Sequence, residues 1–230
     1  MKTNFKVVGF DADDTLWVNE TFFRENEKKF CELLSDFSTS DETMKELYAT
    51  EMNNLEEYGY GTKGFVLSMI ETALKISGNT VPQSIIERII ELGKSQINQK
   101  VELIDGIEDV LNYLHQKGYK LIIATKGDLL DQERKLKKSN LEHFFHHVEV
   151  MSNKQPDDYK KLLLHLDILP EDFLMIGNSY KSDIEPLLEL GAYGIHVPFH
   201  ILWEHEKTTE KEEHPNWLKI QNISAIKNIL

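Results

Sequence analysis

The chain has 230 residues, 40% of them hydrophobic and 28% charged, a composition suited to a globular fold. Acids outnumber bases 39 to 26, for a formal net charge of −13, which argues against nucleic acids and anionic membranes as partners because both are held by basic patches. The single cysteine, Cys31, excludes an internal disulfide. Together with an N-terminus, MKTNFKVVGF, that lacks a signal-peptide core, it leads to the expectation of a cytoplasmic protein.

In chain order, Phe5 to Phe10 is a short apolar run that reads as a buried strand. It ends in Asp11-Ala12-Asp13-Asp14, three acids together. From there to about residue 100 the pattern is helical: ETFFRENEKKFCELLSDF, then DETMKELYATEMNNLEEY with Ser40-Asp41 as its start signal. Cys31 sits in the first of these among Phe30, Leu33 and Leu34, the place of a buried structural thiol. A glycine-rich break, YGYGTKGF, precedes FVLSMIETALKIS and QSIIERIIELGKSQIN.

Beyond LIDGIED the pattern alternates. Ile107 to Gln116 reads as helix, KLIIATKG as strand, LLDQERKLKKS as helix and HHVEVM as strand. DYKKLLLHLD (helix), FLMIGNS (strand), SDIEPLLELG (helix), AYGIHVP (strand) and LKIQNISAIKNIL (strand and short helix) complete it. Alternation with strongly apolar strands predicts a Rossmann-like, doubly wound parallel sheet of the α/β class. The first strand belongs to that sheet, so residues 1–17 and 101–230 form the α/β core and 18–100 an inserted all-helical cap. The segment from Glu204 to Trp217 reads as a solvated charged loop.

In such sheets the active crevice lies beyond the carboxyl ends of the strands. Asp11, Asp13 and Thr15 follow the first strand, Thr125 and Lys126 the next, and Ser152 and Lys154 the third. Gly177, Asn178 and Ser179, with Asp183 shortly behind, follow FLMI. Residues two apart on a strand share a face, roughly 7 Å apart by the strand rise, so Asp11 and Asp13 can address one bound group. Carboxylates are hard donors suited to Mg²⁺, and the Thr125 hydroxyl and Lys154 ammonium suit an anion. Three like charges at one strand end make sense with a cation or a reacting group among them. The residues alone point to a Mg²⁺-dependent site for a small phosphate ester.

The ordered set Asp11-x-Asp13-x-Thr15, Thr125, Lys154 and Gly177-Asn178-Ser179…Ser182-Asp183 resembles the four motifs of the haloacid dehalogenase-like superfamily. The resemblance covers about residues 5–16 and 104–230, and the helical insert is placed like the cap of one subclass. It implies that Asp11 is the nucleophile, giving an aspartyl-phosphate, and that Asp13 is the general acid and then base. It further implies that Asp11, the Asp13 carbonyl and Asp183 hold Mg²⁺, and that Thr125 and Lys154 bind phosphoryl oxygens. The acid at position 13 favours phosphoryl transfer over dehalogenation, because a halide leaving group needs no proton. Asn178 stands where an aspartate is common and can still ligate through its carbonyl. Position 14 is often glycine and here is Asp, read as serving the turn.

The reading is therefore a phosphatase for a small soluble phosphomonoester. The alternatives are a phosphoglucomutase-like phosphotransferase and a non-catalytic phosphate-binding or signalling protein. Tyr60 and Lys63 in the glycine-rich break, and Lys126, are candidate substrate contacts. His143, His146 and His147 have spacing compatible with zinc, but no acid or thiol pattern completes a site, so a packing or surface role is expected.

Overall fold

A computed structural model describes residues 2–210 and 214–230. The chain divides into two compact units. One comprises residues 1–20, 101–126 and 135–230, and the other residues 21–100 and 127–134.

The first unit is built on six parallel strands: β1 (Val7–Phe10), β2 (Lys120–Lys126), β3 (Phe145–Met151), β4 (Phe173–Gly177), β5 (Tyr193–His196) and β6 (Trp217–Lys219). Their order across the sheet is β3-β2-β1-β4-β5-β6. The chain lays down β1, β2 and β3 in one direction, then crosses back to build outward from β4. The switch point therefore falls between β1 and β4, where a doubly wound sheet opens its crevice.

Every residue of β1 and of β4 is buried, because helices cover both faces. Val8, Phe10, Leu121, Ile123, Leu174 and Ile176 point to one side, where Ile107, Val110, Leu111 and Leu114 of helix α5 (Ile107–Gln116) meet them. Val7, Ile122, Ala124, Phe173 and Met175 point to the other, against Tyr159, Leu162 and Leu163 of α7 (Pro156–His165) and Leu187 of α8 (Glu185–Glu189). This is the two-residue period of a strand applied to a sheet with two apolar faces. Gly9 is required by close approach: a Cβ there would lie 2.6 Å from the Phe173 ring.

Helices α1 (Glu20–Leu33), α2 (Ser40–Tyr58), α3 (Thr62–Ile76) and α4 (Gln83–Asn98) occupy the inserted segment, and α6 is Leu129–Ser139. The helical unit has its own core of Phe30, Leu34, Leu47, Phe65, Met69, Ala73 and Ile89. Cys31 is buried, and burial pushes its thiol upward in pKa. Helix α2 starts at Ser40, so the cap lies one residue before the expected signal. Its cap is Thr39, whose hydroxyl accepts from the Glu42 N–H while the Glu42 carboxylate takes the Thr39 N–H. That reciprocal pair is available only when Thr39 lies three residues before the glutamate.

The expected SDIEPLLELG helix is shorter than its pattern. Tyr180–Ile184 forms a wide turn of π geometry, and regular helix begins at Glu185. Asp183 is turned back to accept the Ser179 N–H, and Pro186 has no N–H to continue a ladder across the junction.

Candidate active site

Four strand ends supply the site, all within the α/β unit. β1 ends at Phe10, in register with Ile123 of β2 and Ile176 of β4. The Asp11 N–H continues the ladder by donating to the Ile176 carbonyl at 2.9 Å. Asp11 is thereby fixed beside the ends of both neighbours.

Lys154, from the segment joining β3 to α7, is 1% exposed. Its ammonium lies 2.5 Å from Asp11 Oδ1 and 2.6 Å from Asp183 Oδ1. Burial alone would pull its pKa down, but Asp11 and Asp183 outweigh that and hold it well above the ordinary lysine value. Asp11 is pushed up to about 7 by burial, against the opposing pull of Lys154 and with a further push from Asp183. Two buried carboxylates share one ammonium, an excess of negative charge that a further cation would offset.

The donor set fits a divalent ion. The amide end of Asn178 lies 3.2 Å from both the Asp13 carbonyl and Asp11 Oδ2. With the amide oxygen inward, three hard oxygens face one another, as around a cation, and the Thr15 hydroxyl stands 3.3 Å from Asp11 Oδ2 and 3.4 Å from Asn178 Oδ1. With the nitrogen inward, the same amide donates to both. Asp11, Asp183, the Asp13 carbonyl and Asn178 are therefore the residues that could hold the metal.

The loop after β4 is shaped for Asp183. The Ser179 N–H donates to Asp183 Oδ2 at 3.0 Å, and Gly177 leaves the room: a Cβ there would fall 2.2 Å from that oxygen. The His196 Nε2–H donates to the Asn178 carbonyl at 3.0 Å, and the Tyr159 hydroxyl donates to the Ser182 carbonyl at 3.0 Å.

Asp13 lies on the same stretch of backbone but faces other partners. Trp17 Nε1 donates to Asp13 Oδ1 at 2.7 Å, and Lys135 Nζ stands 2.8 and 3.0 Å from its two oxygens. Lys135 is itself steadied by Asn19 Oδ1 at 3.1 Å. Thr125, at the end of β2, is 1% exposed. Asp14 explains the departure from glycine at its position: its φ is 61°, the left-handed region glycine occupies without strain and Asp tolerates. Its carboxylate accepts the N–H groups of Asn19 and Glu20, and burial raises its pKa to about 8.

Lys126 is engaged by Ser182 and Glu206. Its ammonium donates to Ser182 Oγ at 3.0 Å and pairs with Glu206 at 2.5 Å. Glu206 also accepts from Ser179 Oγ and Ser182 Oγ, both at 2.5 Å. Burial would raise its pKa, but Lys126 and the two serines outweigh this and bring it down to about 2. The expectation of a solvated loop from Glu204 to Trp217 therefore fails at Glu206, which is buried and braces the loop carrying Asp183. Residues 211–213 of that segment lie outside the described residues.

In the helical unit, Lys63 pairs with Asp128 at 2.9 Å, and Tyr60 lies half-buried in the turn between α2 and α3. His143 stacks on Phe144 with ring centroids 4.0 Å apart, whereas His147 turns to Glu149. Sequence reading missed Trp17, Lys135, Glu206 and Tyr159. Trp17, four residues from Asp13, had a local signal; the others reach the site only through the fold.

The model of the haloacid dehalogenase-like hydrolase family matches residues 5–191. A glyceraldehyde 3-phosphate phosphatase of Pyrococcus furiosus is 26% identical over 190 residues, 78% of this chain and 75% of the relative. One from Methanothermobacter thermautotrophicus is also 26% identical, over 98% of this chain and 99% of the relative. Among solved structures, a haloacid dehalogenase-like family hydrolase from Xanthomonas campestris superposes with a TM-score of 0.88 at 35% identity, covering 98% of this chain and 90% of that one. The strand-end acids, the buried lysine and the doubly wound sheet thus have one common explanation: the chain belongs to the haloacid dehalogenase-like hydrolase family.

Proposed function

We propose that the protein is a Mg²⁺-dependent phosphatase that hydrolyses a small phosphomonoester through an aspartyl-phosphate on Asp11. The observation that carries this reading is the buried Lys154 ammonium held between Asp11 and Asp183, with the Asp13 carboxylate on the same loop. The relatives named as glyceraldehyde 3-phosphate phosphatases support phosphoester chemistry for this chain as well.

Asp11 attacks phosphorus, and the leaving oxygen takes a proton from Asp13. Trp17 and Lys135 fix where the Asp13 carboxyl can stand, so the proton is delivered from one position. Asp13 then takes a proton from the water that attacks the phosphorus of the acyl phosphate, which frees Asp11 and releases phosphate. Lys154 and Thr125 offset the charge on the phosphoryl oxygens. Bound by Asp11, the Asp13 carbonyl, Asp183 and Asn178, Mg²⁺ would supply further positive charge against those oxygens.

The carboxyl group at position 13 separates this reading from dehalogenation, because a halide leaving group needs no proton. Among the described residues, no helix is long and apolar enough to cross a membrane. Steady-state hydrolysis of p-nitrophenyl phosphate, with Mg²⁺ and with EDTA, tests the proposal. Turnover that requires the metal supports it, and metal-independent turnover or none at all counts against it.

A further inference from the structure

A second cluster of metal-ligating side chains lies elsewhere on the α/β unit. β3 is an edge strand, and His147 and Glu149, two residues apart, share one of its faces. Their register partners on β2 are Ile122 and Ala124, both of which pack toward α7. Helix α7 runs back along that face and ends at His165. The turn of the chain through Lys154 thus returns a second imidazole to the pair on the strand.

His147 Nε2 lies 2.8 Å from Glu149 Oε2, which lies 3.8 Å from His165 Nδ1. The three donor atoms fall within 4.8 Å of one another. The two rings stand nearly perpendicular, at 78°, with centroids 5.2 Å apart. Bonds of about 2.0–2.1 Å around a tetrahedral Zn²⁺ place neighbouring donors about 3.3 Å apart. The His147–Glu149 separation falls below that value and the Glu149–His165 separation above it, so the three groups stand close to the spacing a bound ion requires.

We propose that His147, Glu149 and His165 bind one divalent ion of the zinc class, with water in the fourth position. Two imidazoles and a carboxylate select a borderline transition metal, whereas the acids at the strand ends offer only oxygen and select a hard ion. Entry is open, since the three side chains are 30%, 31% and 67% exposed. The bound ion clips the end of α7 to the edge strand and adds to the stability of that edge by mass action. This site stands independently of the phosphatase reading.

The test is a Co²⁺ and Zn²⁺ titration with Mg²⁺ in excess, so that the oxygen-rich site is occupied. Wild type is expected to bind one equivalent with the visible absorption of nitrogen-ligated, low-coordinate Co²⁺, and Zn²⁺ is expected to displace it and raise Tm. His147→Ala and His165→Ala should each lose the band and weaken binding by at least about tenfold, the range measured for weaker perturbations of metal sites. Asp183→Asn should keep the band. His165 is largely exposed, so its variant also controls for folding. No band in wild type, or a band and affinity unchanged in both histidine variants, would overturn the proposal and leave His147 and Glu149 as a hydrogen-bonded pair.

Discussion

Lys154 Nζ stands 2.5 Å from Asp11 Oδ1, two charges from strand ends 143 positions apart in sequence, both buried. Asp183 shares the same ammonium. The lysine is thus the cation that makes two buried carboxylates tolerable, and in the proposed mechanism it also offsets charge on the phosphoryl oxygens.

Lys154→Met keeps the apolar stem and removes the charge. It leaves Asp11 and Asp183 without their common partner, and removing one member of a buried pair costs about 3–5 kcal/mol. Urea unfolding should show a lower midpoint, corresponding to that loss of unfolding free energy, with turnover lost. An unchanged midpoint would show that the pair carries no such load.

Glu206 gives a pH dependence of definite sign. Its folded pKa, about 2, lies below the ordinary 4.5, so its contribution is full above about 4.5 and is lost as pH falls from there toward 2. The contribution is about 3 kcal/mol by proton linkage. Glu206→Gln should be less stable at neutral pH and show a flatter fall in stability over that acid window. Parallel curves for variant and wild type would contradict the assignment.

Gly177→Ala places a methyl 2.2 Å from Asp183 Oδ2. The side chain of Asp183 must move, and a displacement of about 1 Å at a site can cost about 100-fold in rate. The Mg²⁺ concentration needed for half-maximal activity should rise as well. Wild-type metal dependence in this variant would mean that Asp183 does not serve the metal.

Trp17→Phe removes the N–H that donates to Asp13 Oδ1 and keeps most of the buried ring. Loss of one such bond corresponds to about five- to tenfold in kcat, with KM little changed. A change in KM alone would place Trp17 on the substrate rather than on Asp13.

The parts of the candidate site that were legible in sequence are those that follow an apolar strand directly or within its next turn. Asp11, Thr125 and Asp183 each sit at or just past such a run, and the parallel sheet brings those ends together. Lys135, Glu206 and His165 were opaque because their partners come from distant elements and their local sequence looks like solvated helix or loop. The Glu206 segment shows the limit clearly: charge-rich composition predicts solvent, yet one of its glutamates is buried against Lys126, Ser179 and Ser182. The short α8 was hidden for a similar reason, since the apolar period of SDIEPLLELG runs through a turn that tertiary contacts hold open.

The most direct test of the covalent mechanism is rapid-quench mass spectrometry of the enzyme during turnover of a phosphomonoester with Mg²⁺. The account predicts one transient phosphoryl group on the peptide bearing Asp11, absent in Asp11→Asn, whose turnover is abolished. A phosphoryl group on another residue, or normal turnover by Asp11→Asn, would contradict it.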